Sequence, residues 1–207
     1  MILNNEILFT ERIRIARLII ISLLMNTILF LLAYFLNLPL WLDTTGTIYI
    51  SCIIGFPAGF LVSIIINITE SIWIYGESSL LFYFVSLLTA LASGKIYEKY
   101  KNTKIKKWLL MLICLILVDC TLAVAITFVT SDGIPSNYWS WYLYTIIMEQ
   151  GVNNIIATFI SVSSVKCLDL IVTLLIVAIA IRVTPDKLKT RKYVLLKNED
   201  DLNENKL

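Results

Sequence analysis

The stretch Leu38-Pro39-Leu40-Trp41-Leu42-Asp43-Thr44-Thr45-Gly46, followed after an apolar run by Gly55-Phe56-Pro57-Ala58-Gly59, decides the fold. It places a carboxylate, hydroxyls and a turn between long apolar segments, and then a second turn. A helix between the two turns rises only about 15–18 Å, whereas the hydrocarbon core of a bilayer is about 30 Å thick. The stretch therefore predicts a short helix, 44–55, that neighbouring helices shield from lipid or that its flanking turns partly continue.

The composition around this stretch is that of an integral membrane protein. The 207 residues are 58% hydrophobic and 15% charged, whereas soluble domains carry about 25% charged residues. The four cysteines lie in or beside apolar runs without CxxC spacing, and the chain has no histidine. We therefore expect no metal site and no cofactor, and nothing in the sequence predicts a nucleic-acid partner.

The basic residues predict the topology, because positive charge collects in the cytoplasmic loops of membrane proteins. They fall into three groups that hold 16 of the 17 lysines and arginines. The groups are Arg12, Arg14 and Arg17; Lys95, Lys99, Lys101, Lys104, Lys106 and Lys107; and Arg182, Lys187, Lys189, Arg191, Lys192, Lys197 and Lys206. If all three are cytoplasmic, an even number of crossings separates each from the next, and both termini are cytoplasmic.

The lengths of the apolar runs then predict an all-α bundle of six transmembrane helices in a multi-pass plasma-membrane protein. At about 20 residues per crossing, Leu18–Gly94 accommodates four helices and the remaining chain two. The predicted spans are 18–36, 44–55, 57–75, 80–97, 108–129 and 166–184. Residues 1–185 form a single membrane domain in this interpretation, and residues 186–207 form a short, charged, flexible cytoplasmic tail.

The segment between the last two spans, 130–165, is rich in tryptophan and tyrosine. Its pattern predicts two short helices, 139–150 and 152–164, lying in the membrane interface. Two roles fit this segment. The first is an aromatic belt at the headgroup level, and the second is a lid over a binding site.

Polar side chains at membrane depth are energetically unfavourable and therefore indicate function. In the predicted topology they converge on the outer half of the molecule from several separate segments. For any one of them a structural role is an alternative; Lys166 and Asp169, for example, are three residues apart and could pair with each other. As a set they predict an outward-facing polar pocket formed by Trp41, Asp43, Thr44, Asn67, Glu70, Trp73, Asp119, Lys166 and Asp169.

Small residues four apart lie on the opposite, cytoplasmic side. Gly55 and Gly59 lie at the turn between the second and third spans, and Ala90 and Gly94 lie near the end of the fourth. Such spacing lets helices approach closely in lipid. The four residues therefore serve either tight packing within the bundle or docking of a membrane partner.

The order of these features resembles the substrate-binding S components of energy-coupling factor (ECF) transporters. The resemblance rests on the loop Leu38–Thr47, the Gly55–Gly59 turn, the loop Asp132-Gly-Ile-Pro-Ser-Asn137 and the segment Val165–Asp169. One difference is that the first span reads Ile19-Ile-Ile-Ser22-Leu-Leu-Met-Asn26, where many members carry an Ala-xxx-Ala docking motif.

Membership would imply a protein that captures a vitamin or similar micronutrient at an outward-facing site. It would assemble with a transmembrane coupling subunit and two cytoplasmic ATPase subunits, and topple in the membrane to release its cargo. By position, two loops would cap the site: residues 43–46, and residues 132–141 with Asn137, Trp139 and Trp141.

The chain has no Gly-x-x-x-x-Gly-Lys-Ser/Thr phosphate-binding loop, so ATP hydrolysis would come from partner subunits. It has no histidine and no nucleophile and base close together in the sequence, so we do not expect it to be an enzyme. One alternative is a membrane ligand sensor that signals through a separate output protein. Another is a membrane-embedded enzyme acting on a lipid, in which Asp43, Glu70 and Asp119 would act as acid, base or metal ligands.

Overall fold

A computed structural model describes residues 2–100, 102–103 and 105–189, and all regular structure within these ranges is helical. The α-helices are α1 Ile2–Phe35, α2 Thr45–Ile53, α3 Phe56–Glu70, α4 Tyr83–Lys99, α5 Lys106–Ser131, α6 Tyr138–Glu149, α7 Asn154–Val183 and α8 Asp186–Lys189. A π-helical turn, Ser71–Tyr75, and a 3-10 segment, Glu77–Phe82, connect α3 to α4.

Five helical segments are long and apolar enough to cross a membrane: Thr10–Phe35, Phe56–Ile74, Ser79–Lys99, Lys106–Ser131 and Asn154–Val183. Their outward faces carry large apolar side chains. Hydroxyls on these faces donate to the carbonyl one turn earlier, as Thr27 does to Leu23 and Thr121 to Leu117. This internal pairing suits a lipid environment, where no water is available to satisfy a polar group.

Helix α2 confirms the prediction of a short helix shielded by its neighbours. All of its nine residues are buried, and it packs against α1, α3, α4 and α7. Ile48 and Ile50 are fully buried in the main apolar core. Gly46 makes the approach to α1 possible, because a Cβ atom at this position would lie 2.0 Å from the backbone oxygen of Ser22.

The start of the first membrane-length segment and the end of the last lie at the same end of the bundle. The guanidinium of Arg14 in α1 donates to the carbonyl of Leu188 in α8 at 2.7 Å. The hydroxyl of Tyr49 in α2 is 2.8 Å from that of Thr184, just beyond α7. This arrangement agrees with an even number of crossings between the first and last basic groups.

The middle basic group lies at that end as well. The turn that follows α2 packs against Gly94 in α4, which the backbone of Phe56 approaches closely. Lys107 at the start of α5 places its Nζ 4.4 Å from the ring centroid of Tyr97 in α4. We call this end, with Arg14, Lys107 and Arg182, the basic end; the opposite end, formed by the segments 36–44, 71–82 and 132–137, is the cavity end.

The prediction of separate helices at 152–164 and 166–184 is wrong. These residues form one continuous helix, α7, which runs from Asn154 to Val183. No proline or glycine interrupts this range, and polar residues such as Thr158 and Ser161 are buried against neighbouring helices. Lys166 and Asp169 therefore lie in the middle of a long helix rather than at its outer end.

The other predicted boundaries lie within about five residues of those in the structure, except that α1 begins at Ile2 rather than at residue 18. Helix α6 spans Tyr138–Glu149, against a predicted 139–150. The start of the predicted cytoplasmic tail, Asp186–Lys189, forms a single helical turn. The rest of the predicted flexible tail, 190–207, lies outside the described residues.

The small residues near the basic end pack inside the bundle. Gly55, Gly59, Ala90 and Gly94 are all buried. A Cβ atom on Gly59 would lie 1.8 Å from the Ser51 hydroxyl and 3.2 Å from the Cβ of Ala90. These residues therefore serve tight packing within the bundle, one of the two roles predicted for them, and docking of a membrane partner stays a prediction.

Candidate functional site

A cavity of about 220 Å³ lies between the helices at the cavity end. It is smaller than the roughly 300–1,000 Å³ common for drug-sized ligands, so it suits a small molecule. Its walls come from the α1–α2 loop, α3, the 3-10 segment, α4, α5, the α5–α6 loop, α6 and α7. The lining residues are Trp41, Asp43, Asn67, Glu70, Ser79, Phe82, Val85, Ala123, Thr127, Thr130, Ser131, Pro135, Ser136, Asn137, Ser140, Val162 and Lys166.

The α1–α2 loop places the Asp43 carboxylate in the cavity wall. The preceding residue, Leu42, is buried and adopts a left-handed conformation with φ 56°. The Oδ1 atom of Asp43 is buried and has no hydrogen-bond partner among the described residues. Burial raises the pKa of Asp43, and the nearby ammonium of Lys166 opposes that effect. A buried acceptor without a partner is unfavourable unless a ligand supplies one.

Asp169 holds this loop against α7. Its Oδ1 accepts hydrogen bonds from the backbone N–H groups of Trp41 and Leu42, both at 2.9 Å. Its Oδ2 is 3.5 Å from the Nζ of Lys166, whose Nζ also lies 4.9 Å from the centroid of the Trp41 ring. The charge of Lys166 is thus engaged by an ion pair and a cation–π contact within the protein.

Two further polar side chains reach the cavity from α3. Asn67 donates from Nδ2 to the Ser63 carbonyl at 2.8 Å and to the Ser86 hydroxyl at 3.0 Å. Both amide hydrogens are therefore used, which leaves its Oδ1 as the atom available to a ligand. Glu70 is half-buried and is the last residue of α3. The π-helical turn begins at the next residue, and such turns are frequent at functional sites.

The α5–α6 connection also lines the cavity, through Pro135, Ser136 and Asn137. Asn137 caps α6 by accepting from the backbone N–H groups of Trp139 and Ser140. The Ser140 hydroxyl is buried, faces the cavity wall and has no hydrogen-bond partner among the described residues. Gly133 adopts φ 88° in this connection, and its carbonyl accepts from Thr158 of α7 at 2.6 Å.

Six of the twelve residues predicted to bind a substrate line the cavity: Trp41, Asp43, Asn67, Glu70, Asn137 and Lys166. The other six are elsewhere. Asp169 anchors the loop from behind the wall. Thr44 is buried in the interior, and Trp73 is 80% exposed.

The remaining three have structural contacts that explain them. Both carboxylate oxygens of Asp119 accept from the Thr89 hydroxyl, which joins α5 to α4. The indole N–H of Trp139 donates to the carbonyl of Asn37 at 2.7 Å and so ties α6 to the α1–α2 loop. Trp141 stacks loosely with Tyr138 on the exposed aromatic face of α6.

The segment after α5 therefore combines both roles predicted for it. Pro135, Ser136, Asn137 and Ser140 cover the cavity, whereas the rings of Tyr138, Trp141 and Tyr142 are about half exposed on the outer face. Helix α6 thus has two sides: the Ser140 hydroxyl lines the cavity, and the aromatic rings lie on the outer face. It covers the cavity and also anchors the protein at the membrane interface.

Several lining residues were missed by the sequence analysis because they are uncharged. Thr127, Thr130 and Ser131 lie at i, i+3 and i+4 on α5 and line the cavity together. The spacing of these hydroxyls near the end of an apolar helix places them on one helical face, and this is the sequence feature that indicates a shared polar site. Phe82, Val85 and Val162 supply apolar wall and are indistinguishable in sequence from core residues.

The residues that the structure describes contain no cluster of three or more cysteine, aspartate or glutamate side chains that could hold a metal ion. Comparisons of the chain with protein-family models, curated proteins and solved structures return no match. The function proposed for the chain therefore depends on the chemistry of the residues that line the cavity.

Proposed function

We propose that the chain is the substrate-capture (S) subunit of an ECF-type ABC importer, and that it binds a vitamin or similar micronutrient in the cavity. It would deliver this cargo with a transmembrane coupling subunit and two cytoplasmic ATPase subunits. The short helix α2 would be the sixth membrane helix of the bundle.

The observation that carries this proposal is the unsatisfied polar lining of the cavity. Asp43 Oδ1 and Ser140 Oγ are buried, line the same cavity and lack hydrogen-bond partners among the described residues. Structural polar groups in protein interiors are normally paired. Unpaired groups in the lining of one cavity support a site whose partner atoms come from a bound molecule.

The position of the cavity supports capture from outside the cell. Positive charge marks the cytoplasmic ends of membrane helices, and here it collects at the end opposite the cavity. In this orientation both termini are cytoplasmic, the protein crosses the plasma membrane, and the cavity opens to the outer face.

The orientation has a direct test. After the four native cysteines are replaced, Gln150→Cys at the cavity end should react with a membrane-impermeant maleimide in intact cells. Asn102→Cys at the basic end should react only after the membrane is permeabilised. The reverse labelling pattern would contradict the orientation and, with it, capture from outside.

Capture itself is tested by native mass spectrometry of the gently purified protein, which should reveal one small molecule retained per chain. Uptake of that molecule into cells should require coexpression of the coupling subunit and active ATPases. Uptake that continues undiminished with inactive ATPases would contradict the importer proposal and favour a self-sufficient transporter.

A further inference from the structure

We infer that the cavity selects a small molecule carrying a cationic nitrogen, which lies between Asp43 and Glu70. This inference rests on the proposed capture function and names the class of ligand. It follows from the inventory of charged groups that line the cavity and from the contacts each already makes.

Three charged side chains line the cavity: Asp43, Glu70 and Lys166. Lys166 is engaged, because Asp169 lies 3.5 Å from its Nζ and the Trp41 ring covers it. Within the part of the chain that the structure describes, Asp43 Oδ1 has no hydrogen-bond partner. The side-chain carboxylate of Glu70 makes no hydrogen bond or ion pair with these residues either. The lining therefore carries two carboxylates that no cation of the protein neutralises in direct contact.

The charge behind the wall increases this imbalance. Asp169 balances Lys166, and Asp119 is buried in the neighbouring interior, where the side chain that hydrogen-bonds to it among the described residues is the neutral Thr89 hydroxyl. An anionic ligand would add a further negative charge beside Asp43 and Glu70, and such repulsion is stronger in a partly buried cavity than in bulk water. A cation between Asp43 and Glu70 would remove the imbalance and provide the missing hydrogen-bond donors.

The rest of the wall limits the shape of the ligand. Phe82, Val85 and Val162 form apolar wall, and the hydroxyls of Thr127 and Ser140 offer single hydrogen bonds. The walls thus suit a compact apolar or aromatic body with a charged nitrogen at one end. Within about 220 Å³ there is room for a small ring system but not for a large one.

Three probes of nearly equal shape test the inference: benzamidine is a cation, benzamide is neutral and benzoate is an anion. Binding to the full-length protein in nanodiscs is measured by calorimetry. We expect benzamidine to bind at least about tenfold more tightly than benzamide, which corresponds to about 1.4 kcal/mol, and benzoate to bind most weakly.

Asp43→Asn and Glu70→Gln should each remove most of this preference for benzamidine over benzamide, and thermal unfolding of the two variants shows that they are folded. The matched control is Asp132→Asn. Asp132 is exposed at the same end of the molecule, does not line the cavity and has φ 51°, a conformation that asparagine adopts readily. This variant should keep the full preference.

The inference is overturned if benzamidine fails to bind, if benzamide or benzoate binds as tightly, or if the preference survives both carboxylate substitutions. None of these results bears on capture, which depends on the molecule retained in native mass spectrometry. Conversely, a cation preference without any retained molecule or ATPase-dependent uptake would overturn the capture function and leave a cation-binding cavity.

Discussion

Asp119 is a fully buried acidic residue and Asp43 is a partly buried one whose Oδ1 is buried, and their surroundings differ. Asp119 lies between α4 and α5, where both of its oxygens accept from Thr89 at 2.8 and 3.0 Å. Asp43 lies in the cavity wall, and its Oδ1 has no partner among the described residues. The first carboxylate is part of the scaffold, whereas the second is positioned for a molecule that the chain does not contain.

The density of packing also differs between the centre of the bundle around α2 and the cavity end. Around α2, glycine backbones touch their neighbours so closely that Gly46 and Gly59 have no room for a methyl group. At the cavity end, residues of α3, α5 and α7 and of the adjoining loops line a cavity. The molecule thus combines a tightly packed centre with an open pocket, and substitutions should separate effects on stability from effects on binding.

The largest expected effect is on the packed centre. A Cβ atom at Gly46 would meet the backbone oxygen of Ser22, which cannot move without displacing α1. Overpacking typically costs about 1–3 kcal/mol, so Gly46→Ala should destabilise the protein by at least about 3 kcal/mol. Thermal unfolding in detergent measures this.

Gly59→Ala is the matched comparison, because its new methyl group meets the Ser51 hydroxyl, which can rotate away. Its effect should be smaller, about 1 kcal/mol, with the loss of the Ser51 hydrogen bond to Thr47. Equal stability of Gly46→Ala and the unmodified protein would show that α1 and α2 are not held as closely as described.

A second prediction concerns the hydrogen bond that satisfies Asp119. Thr89→Val keeps the side-chain shape but leaves the carboxylate without a donor, which should cost about 2 kcal/mol of unfolding free energy. Affinity for the captured molecule should change by no more than about twofold, because neither residue lines the cavity.

Thr121→Val on the exposed face of α5 is the control, since its hydroxyl only donates to the Leu117 carbonyl. In an Asp119→Asn background the Thr89→Val substitution should have a smaller effect, because the side chain left unpaired is neutral. A large loss of affinity in Thr89→Val would instead assign Asp119 to the binding site.

A third prediction addresses the contact that closes the cavity. Asp169→Ala removes the acceptor for the backbone N–H groups of Trp41 and Leu42, and it releases Lys166 from its ion pair. The loosened loop should release the captured molecule about tenfold faster, a change of about 1.4 kcal/mol, as measured by dissociation kinetics.

Asp169→Asn keeps an oxygen that can accept both backbone hydrogen bonds, so its dissociation rate should lie between those of Asp169→Ala and the unmodified protein. If both variants release the molecule at the original rate, the α1–α2 loop does not control access to the cavity.

The sequence predicted the short helix α2 and the convergence of polar groups at one end, because turn residues interrupt an apolar run visibly and charges at membrane depth are rare. It could not predict which polar groups pair within the protein. Lys166 and Asp169 are three residues apart and pair as the spacing allows, yet one lines the cavity and the other anchors a loop. Such assignments depend on the neighbouring helices, which sequence spacing does not describe.

The break predicted at residue 165 shows a second limit. A polar segment next to an apolar one suggested a helix end, but in α7 the polar residues face neighbouring helices and the helix continues. Burial against partners overrides local composition in such cases. For the same reason, the aromatic residues of the cavity end could not be divided in advance into those facing the cavity and those facing outward.

The smallest expected effect tests that division of the aromatic residues. Trp41 lines the cavity beneath Lys166, whereas Trp73 in the π-helical turn is 80% exposed and does not line it. Trp73→Ala should leave affinity for the captured molecule within about twofold of the original, because an exposed ring contributes little to a site it does not touch. Trp41→Ala, the matched removal of an indole, should weaken binding measurably by removing cavity wall and the cation–π partner of Lys166. Equilibrium binding in nanodiscs compares the two, and a greater loss in Trp73→Ala would place the binding site on the outer face of the π-helical turn rather than in the cavity.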